Sequence, residues 1–389
     1  MSRRTTWEGV ESSSAQRRSN TAFFRGSIRI VRRAVRSSIT KELLRSGGAN
    51  HIIILCTSDQ SVIPGYMAKT TEPEWLEFES PWGCQPGTVR VLRTTEDVSR
   101  ETLAKRAWRD ELARPYIFET VFERRMHFTN AATQSAMLFS DPDALISPYT
   151  RKMMAFLLFN PDPRRNLMIG LGGGSLAKFC YRHLPRSHIT VVEIDADVIA
   201  LRNEFCIPND DDRFRVVHDD GARYLERLEE QMDVLLIDAF DADGIALSLA
   251  NSNFYSRAVR QLTESGMLVM NFWGPCERYV DNLAQARAAF GDSLLLVPVA
   301  GDANVLLFAF KQAPPQSITD ELEAVAQRLQ MRLLLNFPRY LRRICQGISL
   351  SDPQTSAEHQ IAAAFCLPLH SMAPGLPAEP TPSSAIEKE

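Results

Sequence analysis

Asn166–Asp195, NLMIGLGGGSLAKFCYRHLPRSHITVVEID, is the stretch whose reading decides the fold. Asn166–Leu171 is a short apolar run of the kind a buried parallel strand needs. Gly170, Gly172, Gly173 and Gly174 follow at its end, so the backbone can turn tightly and approach a ligand closely. A helix opening near Ser175 would point unpaired N–H groups at that ligand. His188–Ile194 reads as a second strand, and Glu193 falls about 20 residues past the glycines, where an acid accepts hydrogen bonds from a ribose hydroxyl pair. Strand, turn, helix, strand and acid in this order indicate an adenosine-containing ligand. Ser175 stands where a dinucleotide site has its third glycine, which argues against NAD. The Gly170-x-Gly172-x-Gly174 spacing suits a sulfonium nucleoside such as S-adenosylmethionine equally well.

Outward from this unit, β and α segments alternate. Strands are predicted at Arg213–His218, Met232–Phe240 and Met267–Trp273, with helices at Ala196–Phe205, Ala222–Leu228, Ser248–Thr263 and Arg278–Phe290. Ser293–Val299 and Asn304–Phe310 are joined by only Ala-Gly-Asp-Ala, which forces an antiparallel hairpin at the sheet edge. The pattern predicts an α/β fold: a doubly wound, mostly parallel seven-stranded sheet of the class I S-adenosylmethionine-dependent transferase type. Upstream, Tyr116–Phe122, Arg125–Phe128 and Ser135–Phe139 read as a small antiparallel β meander. An amphipathic helix over Pro148–Phe159 follows it. The expected organisation is a basic, disordered extension (1–66), a poorly defined linker (67–111), the meander plus helix (112–160), and the Rossmann-like nucleoside-binding catalytic domain (161–311). C-terminal helices (312–350), at Ser317–Leu329 and Leu333–Ile344, precede a disordered tail (351–389).

Composition sets the outer bounds. The chain of 389 residues is 44% hydrophobic and 23% charged, with a formal net charge of −3. Residues 1–66 carry a net +7, leaving −10 on the rest. Three readings of that basic stretch compete: a nucleic-acid or membrane-surface arm, a transit-like peptide, and upstream sequence translated from a start before Met67; the last is preferred, and nucleic acid is not an expected partner. The seven cysteines contain no C-x-x-C pair, which suits free thiols in a reducing cytoplasm. Neither the cysteines nor the histidines have metal-ligand spacing, so no metal is expected. No apolar run approaches the roughly 18 residues that cross a bilayer.

In an open α/β sheet, ligands bind beyond the carboxyl ends of the strands. Those ends carry Glu193 and Asp195, then Asp219-Asp220-Gly221, then Asp238-Ala-Phe-Asp241-Ala-Asp243. Asp195 and Asp220 also precede helices and fit helix N-caps. Capping does not account for Asp238 and Asp241, which close a fully apolar strand. So acidic a mouth suits a cationic ligand, a sulfonium nucleoside or an amine.

From about Gln134 to Lys311 the chain resembles the spermidine synthase (polyamine aminopropyltransferase) family. GLGGGSL is similar to its glycine-rich loop, VVEID to its ribose-binding strand, DDGARYL to its adenine segment, and DAFDADG with LANSNFY to the stretch holding its catalytic aspartate. The resemblance implies aminopropyl transfer from decarboxylated S-adenosylmethionine to a small-molecule amine, in polyamine biosynthesis. It implies that Glu193 holds the ribose and Asp220 the adenine amino group, with Asp195, Gly221, Ser175 and Gln134 beside them. Asp241 becomes the general base with Asp238 next to it, Tyr149 and Asp243 line the amine site, and a homodimer is compatible. Ser175 replaces the acid the family has after its glycines, and Tyr149-Thr150-Arg151 and Ala242 depart from its amine-site pattern. A methyltransferase using intact S-adenosylmethionine on a small molecule or RNA therefore stays open, as does a nucleoside-binding paralogue without activity.

Overall fold

The computed structural model describes residues 74–345 and 348–349, except 84, 95–98, 131, 242–243, 274–277, 300–303 and 314–318. The extension 1–66, the tail 351–389 and Asp243 lie outside the described residues.

The first unit is a five-stranded antiparallel sheet in sequential order, β1 (Trp75–Glu79), β2 (Thr88–Leu92), β3 (Tyr116–Glu119), β4 (Glu123–Thr129) and β5 (Ala132–Leu138). The meander thus has two further strands, and α1 (Arg100–Trp108) joins them. These three elements occupy the stretch read above as linker. The two strands are only five residues long, and Val89, Val91, Leu103 and Ala107 close a small core with Tyr116 and Phe118. Ser99 caps α1 by accepting from the Thr102 N–H at 3.2 Å. The opposite face, through Ile117, Met126 and Met137, packs into the main core.

After it come α2 (Pro148–Met153) and a 3₁₀ turn over Met154–Leu158. This is not the amphipathic helix expected over Pro148–Phe159, because Met153–Leu158 is buried on every side. The main sheet follows: β6 (Arg165–Ile169), α3 (Ser175–His183), β7 (His188–Glu193), α4 (Ala196–Ala200), β8 (Phe214–His218), α5 (Gly221–Arg227) and β9 (Met232–Ile237). A small ribbon of β10 (Phe240–Asp241) and β11 (Gly244–Ile245) leads to α6 (Ser252–Gln261), β12 (Leu262–Trp273), α7 (Arg278–Phe290), β13 (Leu294–Pro298) and β14 (Asn304–Phe310). The C-terminal pair is α8 (Asp320–Leu333) and α9 (Phe337–Cys345), then β15 (Ile348–Ser349). α8 runs one turn further than expected and stops at Leu334, which takes a left-handed φ of 57°.

The sheet order is β15-β13-β14-β12-β9-β6-β7-β8. The five strands from β12 to β8 are parallel, and β14 and β13 form the antiparallel hairpin. Seven strands were expected; the two-residue β15 adds an eighth at the hairpin edge. The central strands are buried on both faces, as a parallel sheet requires. In β9, Val234 and Leu236 pack on the 3₁₀ turn, α3, α8 and α9, while Leu235 and Ile237 pack on α5, α6 and α7. Strands β6 and β9 end side by side at the centre, where the connections leave for opposite sides. That crevice is where an open α/β sheet holds its ligand. Among the described residues, no helix is long and apolar enough to cross a membrane.

Candidate active site

The glycine turn is clamped between β7 and β9. The Gly170 N–H donates to the Val192 carbonyl at 2.9 Å, and the Asp238 N–H to the Ile169 carbonyl at 3.0 Å. Gly170 has φ 97°, and a Cβ there would lie 2.2 Å from the Asp238 carbonyl oxygen. Only glycine satisfies both constraints. Gly173 is enclosed: a Cβ would meet Ser135 Oγ at 2.7 Å and the Phe205 ring at 2.8 Å. The turn is therefore backed by β5 and by the segment after α4. Gly174 caps α3 without a side-chain acceptor, so the first-turn N–H groups are not occupied by a capping side chain and can serve an anion or a polar group. Ser175 begins that helix.

Glu193 is buried and stitches the turn to β7. Its Oε2 accepts from the Leu171 N–H at 2.8 Å, and its Oε1 from the Asp195 N–H at 2.9 Å. A carboxylate has about four acceptor positions, so two bonds leave capacity for a pair of hydroxyls. Asp195 Oδ1 accepts from Asp197 N–H (2.8 Å) and Val198 N–H (3.4 Å), capping α4. Asp220 Oδ1 does the same for α5, from Ala222 (2.8 Å) and Arg223 (3.0 Å). Both acids thus carry the capping work their positions suggested. Gly221 seats α5 against β6, since a Cβ would fall 2.3 Å from Ile169 Cγ2. Gln134 is exposed on β5, where strand alternation places it on the face opposite Ser135.

On the other side of the turn stands Asp238, at the end of β9. It accepts from the Tyr149 hydroxyl at 3.1 Å and from Asn271 Nδ2 at 3.0 Å. Behind Asn271, its Oδ1 accepts from Asn304 Nδ2 at 2.8 Å. Burial pushes the Asp238 carboxyl above its ordinary range, and the hydrogen bonds from Asn271 and Tyr149 pull the other way. Tyr149 reaches it from α2, on a helix started by Pro148 at its first position. Asp241 is described as backbone in β10, paired with Gly244.

The structure therefore brings together the glycine turn, Glu193, Asp238 and Tyr149. Asn271, Asn304 and Ser135 were not singled out from the sequence. An amide inside the apolar run MLVMNFW was the available signal for Asn271; Ser135 and Asn304 carry none beyond their position. In chemical terms the site offers hydroxyl acceptors and helix N–H donors on one side of Gly170, and a half-buried carboxylate fed by neutral donors on the other. That set is chemically complementary to a ligand carrying both hydroxyl groups and a positive charge.

The family model for the spermine/spermidine synthase domain matches residues 147–280. The chain is 35% identical over 224 residues to the polyamine aminopropyltransferase of Chromobacterium violaceum, covering 57% of this chain and 86% of that enzyme. It is 32% identical over 232 residues to the polyamine aminopropyltransferase of Neisseria meningitidis serogroup A, covering 59% and 87%. Among solved structures, the spermidine synthase of Thermotoga maritima matches with a TM-score of 0.46 at 15% identity, over 73% of this chain and 98% of that one. With those two enzymes matched over most of their length, this chain belongs to the spermidine synthase (polyamine aminopropyltransferase) family.

Proposed function

We propose that the protein transfers an aminopropyl group from decarboxylated S-adenosylmethionine to a small amine, in polyamine biosynthesis. The observation that carries the reading is the pairing of Glu193 and Asp238 on either side of the Gly170 turn. One carboxylate serves ribose hydroxyls and the other an ammonium. The domain that does this spans 161–311, with α2 closing the amine side through Tyr149.

The co-substrate supplies a carbon made electrophilic by an adjacent sulfonium. The chain's own residues must do the rest. A primary amine has a pKa near that of lysine, about 10.4, so it arrives protonated and without a free lone pair. Asp238 attracts and orients the ammonium, and Tyr149 holds that carboxylate in place. Asp241 takes the proton, with Asp243 adding negative potential. Two steps then follow within one geometry: deprotonation of the amine, and in-line attack with the lone pair aimed along the carbon–sulfur bond.

The neutral glycine turn favours a second reading, methyl transfer from intact S-adenosylmethionine, because Gly173 and Ser175 place no charge against the donor's carboxylate. The two are separated by incubating the protein with each donor and 1,4-diaminobutane. Methylthioadenosine with an extended amine supports the first. S-adenosylhomocysteine with a methylated amine overturns it. Asp241→Asn should lower aminopropyl turnover by about 10²–10⁴, the usual contribution of a positioned base, while donor affinity measured by calorimetry changes little. Full turnover in that variant removes Asp241 from the role.

A further inference from the structure

Two amides lie buried where the strands are otherwise apolar. Asn271 is 2% exposed in β12 and Asn304 is 5% exposed at the start of β14. Burying an amide is costly unless its hydrogen bonds are made, so their arrangement is informative. They sit diagonally across the antiparallel pair, in which Trp273 opposes Asn304 and Asn271 opposes Leu306. Asn304 Nδ2 donates to Asn271 Oδ1, and Asn271 Nδ2 donates to Asp238 Oδ1.

The direction of the chain matters more than its length. An amide has one accepting end and one donating end. Because Asn304 occupies the Oδ1 of Asn271, the NH₂ end of Asn271 is turned to Asp238. We propose that Asn304, acting through Asn271, is a positioning residue that sets the polarity of this relay and so holds Asp238 as an ionised, acceptor-only carboxylate for a cationic acceptor. The proposal rests on the aminopropyl-transfer reading for its use, though not for its test.

The surroundings of Asp238 give the relay its weight. On α2, Arg151 is turned to the carbonyls of Leu145 and Ile146 at 2.7 Å each, and Lys152 to the Pro298 carbonyl at 2.9 Å. From β6 the neighbour is Gly170, which brings no charge, and Glu193 on β7 bonds the Leu171 and Asp195 amides. Tyr149 and Asn271 are thus the described side chains that bond to Asp238, and both are neutral. Burial favours the protonated acid, and these donors oppose it. If Asn271 turned its oxygen to Asp238, two acceptors would face each other unless the carboxyl took a proton.

Asn304→Asp tests this, since it keeps the shape but replaces the donor by an acceptor. Asn271 must then give its NH₂ to the new carboxylate and present Oδ1 to Asp238. The readout is the Asp238 carboxyl carbon followed by ¹³C NMR against pH, assigned by its absence in Asp238→Asn. The expected result is a titration midpoint raised by about one pH unit or more, with the acid limb of kcat moving alike and KM for the nucleoside donor unchanged. A folded Asn304→Asp protein with the midpoint and the kcat profile of the wild type overturns the proposal. If that variant does not fold, Asn304→Ser, which keeps a donor, should hold the wild-type midpoint and Asn304→Ala should raise it; equal midpoints in the two overturn it. A shifted midpoint in a protein that makes no product from 1,4-diaminobutane upholds the relay and counts against the transfer reading instead.

Discussion

At the scale of single residues, the site is two carboxylates kept apart by a glycine turn, and each has a different structural obligation. Glu193 is bonded through both oxygens to backbone N–H groups. Glu193→Gln would retain one accepting atom and turn an NH₂ toward a backbone donor. Donor affinity should fall roughly ten- to hundredfold, the worth of a charged hydrogen bond at about 1.5–3 kcal/mol. Calorimetry measures this, and unaltered affinity would take Glu193 out of the nucleoside site. Asp238 predicts the opposite trade. Its pKa is raised in the folded state, so it favours folding at pH values below the unfolded carboxyl pKa, about 3.9, and costs stability above its folded pKa. Asp238→Asn should therefore raise Tm near pH 7.5 and lose the gain as pH falls to about 4. Thermal melts at the two pH values decide it; a variant equally destabilised at both would show that the carboxylate is held for packing.

At the scale of elements, much was legible because the signals are periodic. Apolar runs such as VLLI and the alternation of helix and strand gave the five parallel strands, and the four-residue link gave the hairpin. β1, β2 and α1 escaped because WLEFE and TVRVL are only five residues each and lie in a polar surrounding, and packing against Tyr116 and Phe118 is what reveals their inner face. The 3₁₀ turn over Met154–Leu158 read as helix because apolar composition alone does not separate a buried turn from a helix. Glu193 and Asp238 were legible as carboxylates at strand ends, and the structure brings both to the glycine turn. The relay was not, since which amide faces which carboxylate is decided by sheet order. Lys178 on α3 is a further case. Nothing in the sequence marks it, yet it is 1% exposed, with Nζ donating to the Phe205 carbonyl at 2.7 Å. Burial brings its pKa down to about 8. A lysine depressed on folding makes stability rise with pH between its folded and unfolded values, about 8 and 10.4. Relative to Lys178→Met, the wild type should thus gain stability from pH 8 to 10 in urea titrations. A pH-independent difference would mean the ammonium is solvated.

At the largest scale, ion pairs tie the antiparallel sheet to the segment behind the glycine turn. Arg90 of β2 pairs with Glu204 at 2.6 Å, and Arg124 of β4 pairs with the same carboxylate at 3.0 Å and also donates to the Glu204 carbonyl. Glu119 of β3 completes the group by pairing with Arg124. The charged ends are 12–22% exposed, so solvent screens them only in part. Glu204 precedes Phe205, whose ring backs Gly173, and Ile207, which packs on Gly174. The network therefore fixes the small sheet and the rear wall of the turn with one side chain. Removing it leaves two guanidinium groups with Glu119 as their one remaining shared carboxylate among the described residues. Glu204→Ala should cost about 1–3 kcal/mol in urea unfolding, and should also weaken donor binding several-fold through the wall behind Gly173. Arg90→Ala in the same background should add less than it does alone, because one of its three carboxylate partners, Glu204, is already gone while Glu77 and Glu119 remain. If the two substitutions are additive, or if donor affinity is untouched while stability falls, the two sheets are held by their apolar faces and the ion network is only their rim.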